Sequence, residues 1–354
     1  MKRDYFLYFL LFLHLSYGAQ VPSYYQGIDF TLSGDSLKDQ LSTLIITTHH
    51  TRLEYTSNTS QDTWDVIKSS DTYLQDTTKV FLVYGYDDND LSFENDLSRD
   101  KGLSCHGSPC DGLWNREHVY AKSLATPSLN HNHPGSGTDV HNLRSCDYVT
   151  NTWRGNLKFG DGNGVSNQTT SGFWFPGEEW KGDIARIIMY MYLRYPNQCS
   201  ANDVGSGTSN YSLLGDMPDI FLEWNSQDSV SAFEEQRNNV IAQAQGNRNP
   251  FIDNPYLATA IWDGPAAENP WGPLGITNYE KDFIKAYFQS DQNSIVISGK
   301  NAHQVISVTM YSLTGQQLDN WTGLKKDVSD FSNGVVVLVI KTQTKLMRQK
   351  IRLF

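Results

Sequence analysis

The fold of this chain is decided by a stretch that begins with the sequence WNREHV at residues 114–119. This stretch has β-type character and sets a carboxylate, Glu117, directly beside an imidazole, His118. Because successive side chains of a strand point to opposite faces, both can serve one site only if the strand ends or bends there. A carboxylate is a good ligand for Mg²⁺ or Ca²⁺, and a neutral imidazole is a good general base. A pair of this kind taken alone is more often a surface acid beside a structural histidine.

A loop, a second strand and a helix are expected after this strand. Residues 127–138 are rich in Pro, Asn, Gly and Ser, residues 138–143 form a second short extended segment, and residues 147–156 can begin a helix. The whole unit spans about 45 residues, which is small for an independent domain. The pattern therefore predicts a compact catalytic finger set into a larger domain.

The surrounding sequence predicts a mostly helical domain followed by a β-module. Apolar periodicity indicates helices over residues 37–50, 63–70, 183–195 and 229–245, and a strand or helix end at 80–84. The Asn/Pro/Gly-rich stretch 246–275 is expected to run over the surface. After about Gln289, short β-rich runs at 294–298, 305–312 and 335–340 alternate with turns. The predicted class is α+β, with a small C-terminal β-sandwich.

The N-terminus predicts secretion. Residues 1–19 combine a basic start with an apolar run and small residues at its end, which is the pattern of a signal peptide. The run is shorter than the roughly 20 residues that a membrane span needs, and no later stretch is long and apolar enough. We expect a soluble monomer outside the cytoplasm, with a catalytic domain at 20–288 and the β-module at 289–354.

Four cysteines predict two disulfides, because an even number in an oxidising compartment favours pairing. We expect a local bridge between Cys105 and Cys110, and a longer one between Cys146 and Cys199 that ties the finger to the following helix. A zinc site of four thiolates is the alternative, which the spacing fits poorly.

The formal net charge of −11 argues against nucleic-acid binding, since phosphate contacts supply most non-specific affinity. The charge is unevenly distributed, however. Between Trp114 and Arg194 there are eight Lys or Arg residues against seven acids. A local cationic face is therefore compatible with the acidic total.

Several strings in one order resemble the bacterial endonuclease I family of secreted nucleases, which belongs to the His-Me finger (ββα-metal) superfamily. They are NREH at 115–118, DVHNL at 139–143 and NTWRGN at 151–156, with further similarity at 237–239 and 246–253. The resemblance covers roughly residues 24–264.

The resemblance implies a residue-by-residue assignment of the site. His118 becomes the general base, and Glu117 and Asn151 become the protein ligands of one divalent ion, Mg²⁺ or in its place Ca²⁺ or Mn²⁺. The implied products carry 5′-phosphate and 3′-hydroxyl ends. Some relatives hold the phosphate with an arginine of the long loop, but residues 121–137 contain none. Arg144 and Arg154 are the candidates for that task.

Other conspicuous residues carry less weight. His131 and His133 lie in a Pro/Gly loop and are interpreted as structural, and His49 is interpreted as a helix end. His141 can orient the site or fill the core of the finger. Large aromatic residues are more often core than base-stacking surfaces.

The C-terminal module resembles the sorting domain of the type IX secretion pathway, through VTMYSLTGQ at 308–316, FSNGV at 331–335 and the KIR ending at 350–352. The resemblance implies export by that secretion machinery. The sequence thus predicts a secreted, metal-dependent endonuclease acting on DNA, with RNA as a second substrate, and little sequence preference. The rival hypothesis is a non-catalytic surface or carbohydrate-binding protein on the same scaffold.

Overall fold

A computed structural model describes residues 21–87, 89–272, 284–299, 302–342 and 346–353. The predicted signal peptide at 1–19 lies outside the described residues. The chain combines helices with antiparallel strands, which confirms the α+β class. Within the described ranges, no helix is both long and apolar enough to cross a membrane.

The helices are α1 (Gly34–Thr48), α2 (Thr63–Ser70), α3 (Tyr148–Arg154), α4 (Lys181–Arg194), α5 (Asp219–Gln227), α6 (Ala232–Gln245), α7 (Pro250–Asp253) and α8 (Tyr256–Trp262). The strands before residue 272 are β1 (Lys79–Phe81), β2 (Ser98–Asp100), β3 (Trp114–His118), β4 (Leu143–Asp147), β5 (Asn167–Gln168) and β6 (Trp174–Phe175). The strands after it are β7 (Lys285–Gln289), β8 (Ser294–Ser298), β9 (Val305–Ser312), β10 (Gln317–Trp321), β11 (Lys325–Asp327), β12 (Gly334–Thr342) and β13 (Leu346–Leu353).

The predicted strand–loop–strand–helix order is present, but its second strand lies later than expected. Residues 140–142 form a short 3₁₀ turn capped by the Asp139 carboxylate, which accepts from the His141 amide at 3.0 Å. The strand β4 begins only at Leu143 and pairs antiparallel with β3. The helix α3 follows at once, because the Asp147 carboxylate accepts from the Thr150 amide at 2.8 Å and caps its first turn.

The described part of the stretch 246–275, residues 246–272, is mostly buried or half-buried rather than running over the surface as expected. It contains α7 and α8, and its asparagines Asn247, Asn249 and Asn254 have no exposed area. Their amides satisfy buried backbone groups; Asn249, for example, caps α7 by accepting from the Phe251 amide at 3.0 Å. Asparagine is common in exposed turns because its side chain forms hydrogen bonds with the backbone. The same hydrogen bonds can cap a buried helix equally well.

Helix α4 is the centre of the core, with twelve of its residues buried. Buried ion pairs connect it to its neighbours. Arg144 on β4 contacts Asp71 at 3.2 Å and Asp183 on α4 at 3.0 Å. Arg237 on α6 also pairs with Asp71. These contacts fix β4 against α2, α4 and α6, and thereby fix the strand that supports β3.

The C-terminal strands form two antiparallel sheets, ordered β10-β9-β12-β13 and β11-β8-β7. Residues of both sheets, including Ile295 on β8 and Leu338 on β12, belong to one apolar cluster that is separate from the rest of the core. The first strand of these sheets, β7, begins at Lys285, before the expected start of the module at 289, and pairs with β8 over its whole length.

The cysteine prediction is right for one pair and wrong for the other. Cys105 and Cys110 are bonded, with their Cα atoms 5.5 Å apart, which excludes the four-thiolate zinc site. Cys146 and Cys199 are free and fully buried. Cys146 lies on β4 beside Val83 and Cys199 follows α4; both pack as small apolar side chains in the main core without bonding to each other.

We expect native protein to resist thiol alkylation at both free cysteines. Burial raises the pKa of the Cys146 and Cys199 thiols, so neither forms the reactive thiolate. Peptide mapping without reduction should find Cys105 linked to Cys110, and alkylation of the other two only after unfolding. A peptide that joins Cys146 to Cys199 would contradict this expectation.

Candidate active site

The two faces of β3 carry different parts of the site. Asn115 and Glu117 lie on the face that α3 covers, since Asn151 and Arg154 of α3 contact them at 2.7 and 3.0 Å. His118 is the last residue of β3 and lies on the opposite face. Glu117 and His118 can serve one site only if the strand ends or bends at this pair. β3 does end at His118.

Glu117 is a buried carboxylate whose neighbours favour its charged form. Its Oε1 accepts from the Tyr84 hydroxyl at 3.0 Å and from Arg154 at 3.0 Å. Burial raises the pKa of Glu117, and the Arg154 charge and the Tyr84 hydrogen bond oppose the rise. Both donors approach Oε1, so Oε2 is the oxygen that neither of them occupies.

Three asparagines lie near the finger, and each has a different environment. Asn151 donates from Nδ2 to the Asn115 carbonyl oxygen at 2.7 Å, which leaves its own Oδ1 as the unengaged end of the amide. Asn142 accepts from the Tyr120 amide at 2.7 Å and donates to the Tyr120 carbonyl at 3.2 Å, so it holds the chain just beyond His118. Asn156 is exposed and bonds Ser123. Because α3 ends at Arg154, Asn156 is not on the helix at all.

The orientation of His118 is fixed by the long loop. Its Nε2–H donates to the Gly137 carbonyl oxygen at 2.8 Å, so the proton sits on Nε2 and the lone pair on Nδ1. Burial lowers the pKa of His118 to about 3, and the charges of Lys122 and Arg116 act in the same direction. The imidazole is therefore neutral at neutral pH, which is the form that accepts a proton.

Gly137 is a glycine for a steric reason. A Cβ at this position would lie 2.2 Å from the Asn130 carbonyl oxygen. The close approach folds the loop back on itself at residues 130–137. Because the loop folds back, the Gly137 carbonyl oxygen reaches His118.

Aromatic and cationic side chains surround His118. The sequence patterns did not predict this arrangement. The Tyr55 ring stacks on the His118 ring at 5.8 Å, and Arg116 lies over Tyr55 at 3.3 Å. His131, interpreted as structural, has its ring 6.3 Å from that of His118. Lys122 lies 3.3 Å from the Nδ1 atom of His131. The stretch around Tyr55 carries no motif, so only folding brings it to the site.

Neither arginine predicted to hold the phosphate is exposed. Arg144 has no exposed area and is engaged by Asp71 and Asp183, which removes it from the list of candidates. Arg154 is equally buried, but it donates to the carbonyl oxygens of His118 at 3.1 Å and Val119 at 2.8 Å. It therefore holds the end of β3 together with Glu117 and does not face solvent.

Other residues singled out in the sequence have structural positions. His141 is buried, with Nε2 donating to the Asn247 carbonyl at 3.2 Å and its ring against Tyr190, so it belongs to the core. His49 directly follows α1, as expected. Of the nine tryptophans only Trp153 on α3 is exposed, at 60%, so the interpretation of large aromatics as core holds for the other eight.

The residues present fit a hard divalent cation. Such ions prefer carboxylate and amide oxygens, and Mg²⁺ usually keeps several water ligands. Glu117 Oε2 and Asn151 Oδ1 are two oxygens of that kind, and the contacts from α3 to Asn115 and Glu117 hold them on one strand face. Among the described residues no group of three or more His, Cys, Asp or Glu side chains is placed to hold an ion, so a cation at this site would be held by one carboxylate, one amide and water.

The chain was compared with known proteins. The family model described as Endonuclease I matches residues 33–256. An extracellular ribonuclease of Bacillus subtilis is 35% identical over 257 residues, which are 69% of this chain and 80% of the relative. An extracellular ribonuclease of Bacillus amyloliquefaciens is 35% identical, covering 65% of this chain and 75% of the relative. An extracellular deoxyribonuclease of Aeromonas hydrophila is 30% identical, covering 32% and 49%.

With this site and these relatives, the protein is a secreted nuclease that hydrolyses phosphodiester bonds. The chain belongs to the Endonuclease I family. The rival hypothesis of a non-catalytic binding protein is therefore abandoned.

Proposed function

We propose that the chain is a divalent-metal-dependent endonuclease whose ββα-metal, or His-Me finger, core consists of β3, β4 and α3. The observation that carries this proposal is the position of α3. It contacts Asn115 and Glu117 on one face of β3, while His118 ends the same strand with its Nδ1 unprotonated. A ligand pair and a base thus meet at one strand end.

Each residue has a role in the proposed reaction. Glu117 Oε2 and Asn151 Oδ1 would hold Mg²⁺, with Ca²⁺ or Mn²⁺ as alternatives. When bound there, such an ion would offset the charge that builds on the phosphate and on the leaving 3′ oxygen. His118 Nδ1 removes a proton from the water that attacks phosphorus. Arg154 positions Glu117 and the strand end. Since the 3′ oxygen leaves, the products carry 5′-phosphate and 3′-hydroxyl ends.

We expect DNA and RNA to be substrates of the monomer, with little sequence preference. The relatives named ribonucleases and the one named a deoxyribonuclease support both. A plasmid-nicking assay and an RNA assay should run in parallel, each with and without a chelator. Cleavage that survives full chelation would contradict the proposed metal dependence, and ends that cannot be ligated without phosphate addition would contradict the proposed products.

The C-terminal unit is proposed to be a β-sandwich that addresses the protein to the type IX secretion machinery. The two sheets share one apolar cluster, as in a sandwich. The strings that resemble a sorting domain lie on β9 with the turn after it, at the start of β12, and on β13.

The C-terminal unit should be dispensable for chemistry. Its described strands carry no cluster of acid, imidazole and amide groups, and its apolar cluster is its own. A mature protein that ends at Gly272 should cleave DNA as fast as the full mature chain. Initial rates of both proteins at equal concentration test this, after circular dichroism has shown that the shorter chain is folded. A folded but slow truncated protein would assign substrate contacts to the β-unit.

A further inference from the structure

Three cationic or potentially cationic side chains surround His118, and they differ in how they are engaged. Arg116 is committed to the protein: its guanidinium bonds the Tyr55 carbonyl and the Thr63 hydroxyl and lies between the Tyr55 and Trp64 rings. These contacts hold Tyr55 over His118. Arg116 is thus a support for the site, and both of its terminal nitrogens already donate to the protein.

Lys122 is engaged differently. It lies four residues after His118, in the short 3₁₀ turn Lys122–Leu124, and is half-buried. Its side-chain contact is with the His131 Nδ1 atom, and no carboxylate pairs with it within the described ranges. Lys38 and Arg248 have carboxylate partners within 3 Å, and Lys101 and Lys158 bond a hydroxyl and a carbonyl oxygen of the protein. Lys122 differs from these cations because its partner is an imidazole whose ring lies 6.3 Å from that of His118.

His131 completes the arrangement. Because the Lys122 ammonium can only donate, the His131 Nδ1 atom accepts, and the imidazole proton lies on Nε2. That Nε2–H makes no hydrogen bond in the part of the chain that the structure describes. The Tyr55 ring packs against His131 at 4.8 Å and against His118 at 5.8 Å, so one aromatic residue sets the positions of both imidazoles.

We propose that Lys122 and His131 together bind a non-bridging oxygen of the phosphate that is cleaved, Lys122 through its ammonium and His131 through its Nε2–H. This inference rests on the proposed function, because it assigns the anion-binding part of the same site. A phosphate oxygen supplies the negative partner that Lys122 lacks and the acceptor that His131 lacks. Residues 121–137 contain no arginine, and Lys122 is their only lysine.

The test compares Lys122→Ala, Lys122→Arg and His131→Ala with Lys181→Ala, whose ammonium pairs with Glu178 away from the finger. We expect Lys122→Ala to lower kcat/KM for DNA by about 10- to 100-fold, the loss expected for one charged hydrogen bond. Lys122→Arg should recover part of the lost kcat/KM. The slope of log kcat/KM against log salt concentration should become shallower by about 1 for Lys122→Ala, because one phosphate contact is lost. Lys181→Ala should change neither quantity.

Two further measurements separate substrate binding from a structural role. Fluorescence anisotropy with a labelled single-stranded oligonucleotide in chelator should show weaker binding for Lys122→Ala and His131→Ala at equal melting temperature. The double variant should lose less than the sum of the single losses in free energy, since both side chains hold one oxygen.

A folded Lys122→Ala protein with unchanged kcat/KM and salt slope would overturn the inference, as would additive losses in the double variant. Failure of the proposed function is distinguishable from either result. In that case the unmodified protein itself would cleave neither DNA nor RNA when Mg²⁺ is added.

Discussion

His118→Ala is expected to lower the rate of phosphodiester cleavage by about 10²-fold or more while the protein stays folded. The substitution removes the neutral imidazole. Its Nδ1 atom is free to accept a proton because Nε2–H donates to the Gly137 carbonyl oxygen. Metal binding should stay near normal, because Glu117 and its contacts with α3 lie on the other face of β3.

The measurement is the initial rate on labelled DNA and RNA, together with a melting curve and a calorimetric titration with Mg²⁺. His133→Ala is the matched control, since it removes an exposed histidine from the same loop. Imidazole added to His118→Ala should restore part of the rate, which a purely structural role would not predict. Near-normal cleavage by folded His118→Ala would exclude His118 as the general base.

The second large effect is expected for Asn151→Ala, which should weaken metal binding and cleavage together. The neutral Oδ1 atom binds a hard cation without adding charge, and the bond from Nδ2 to Asn115 points that oxygen away from the strand. We expect the dissociation constant for Mg²⁺ to rise by at least about 10-fold, as for other losses at metal sites. A higher concentration of Mg²⁺ or Mn²⁺ should recover part of the rate.

Asn156→Ala provides the control, because Asn156 lies beyond the end of α3 and bonds only the Ser123 hydroxyl on the exposed surface. Calorimetry with Mg²⁺ gives a result that does not depend on turnover. An unchanged metal midpoint for Asn151→Ala with a shifted midpoint for Asn156→Ala would mean that the ligand has been assigned to the wrong asparagine.

The net charge of the chain is negative, but the arrangement of cations around His118 is compatible with a nucleic-acid substrate. Three arginines of the catalytic region, Arg144, Arg186 and Arg237, are buried and neutralise buried carboxylates inside the core. The cations next to His118 are few, and Arg116 among them supports Tyr55. Counting charges along residues 114–194 therefore overestimates the cationic surface that substrate can reach.

The sequence by itself determined the parts of this protein that depend on neighbouring residues. Apolar periodicity located α2, at the predicted residues 63–70. The adjacent Glu117 and His118 and the later Asn142 and Asn151 indicated the family. Short-range patterns of this kind are readable because helix turns, caps and strand alternation involve residues a few positions apart.

Only the tertiary structure decided which side chains are exposed and which distant residues meet. Arg144 is buried because Asp71, 73 residues earlier, reaches it through the folded core. Cys146 and Cys199 stay unbonded although one core buries both, since Cys146 lies on β4 beside Val83 and Cys199 follows the end of α4. Lys122 and His131 become a pair because the loop folds back at Gly137. Burial and long-range pairing depend on packing across the whole domain, which no local pattern encodes.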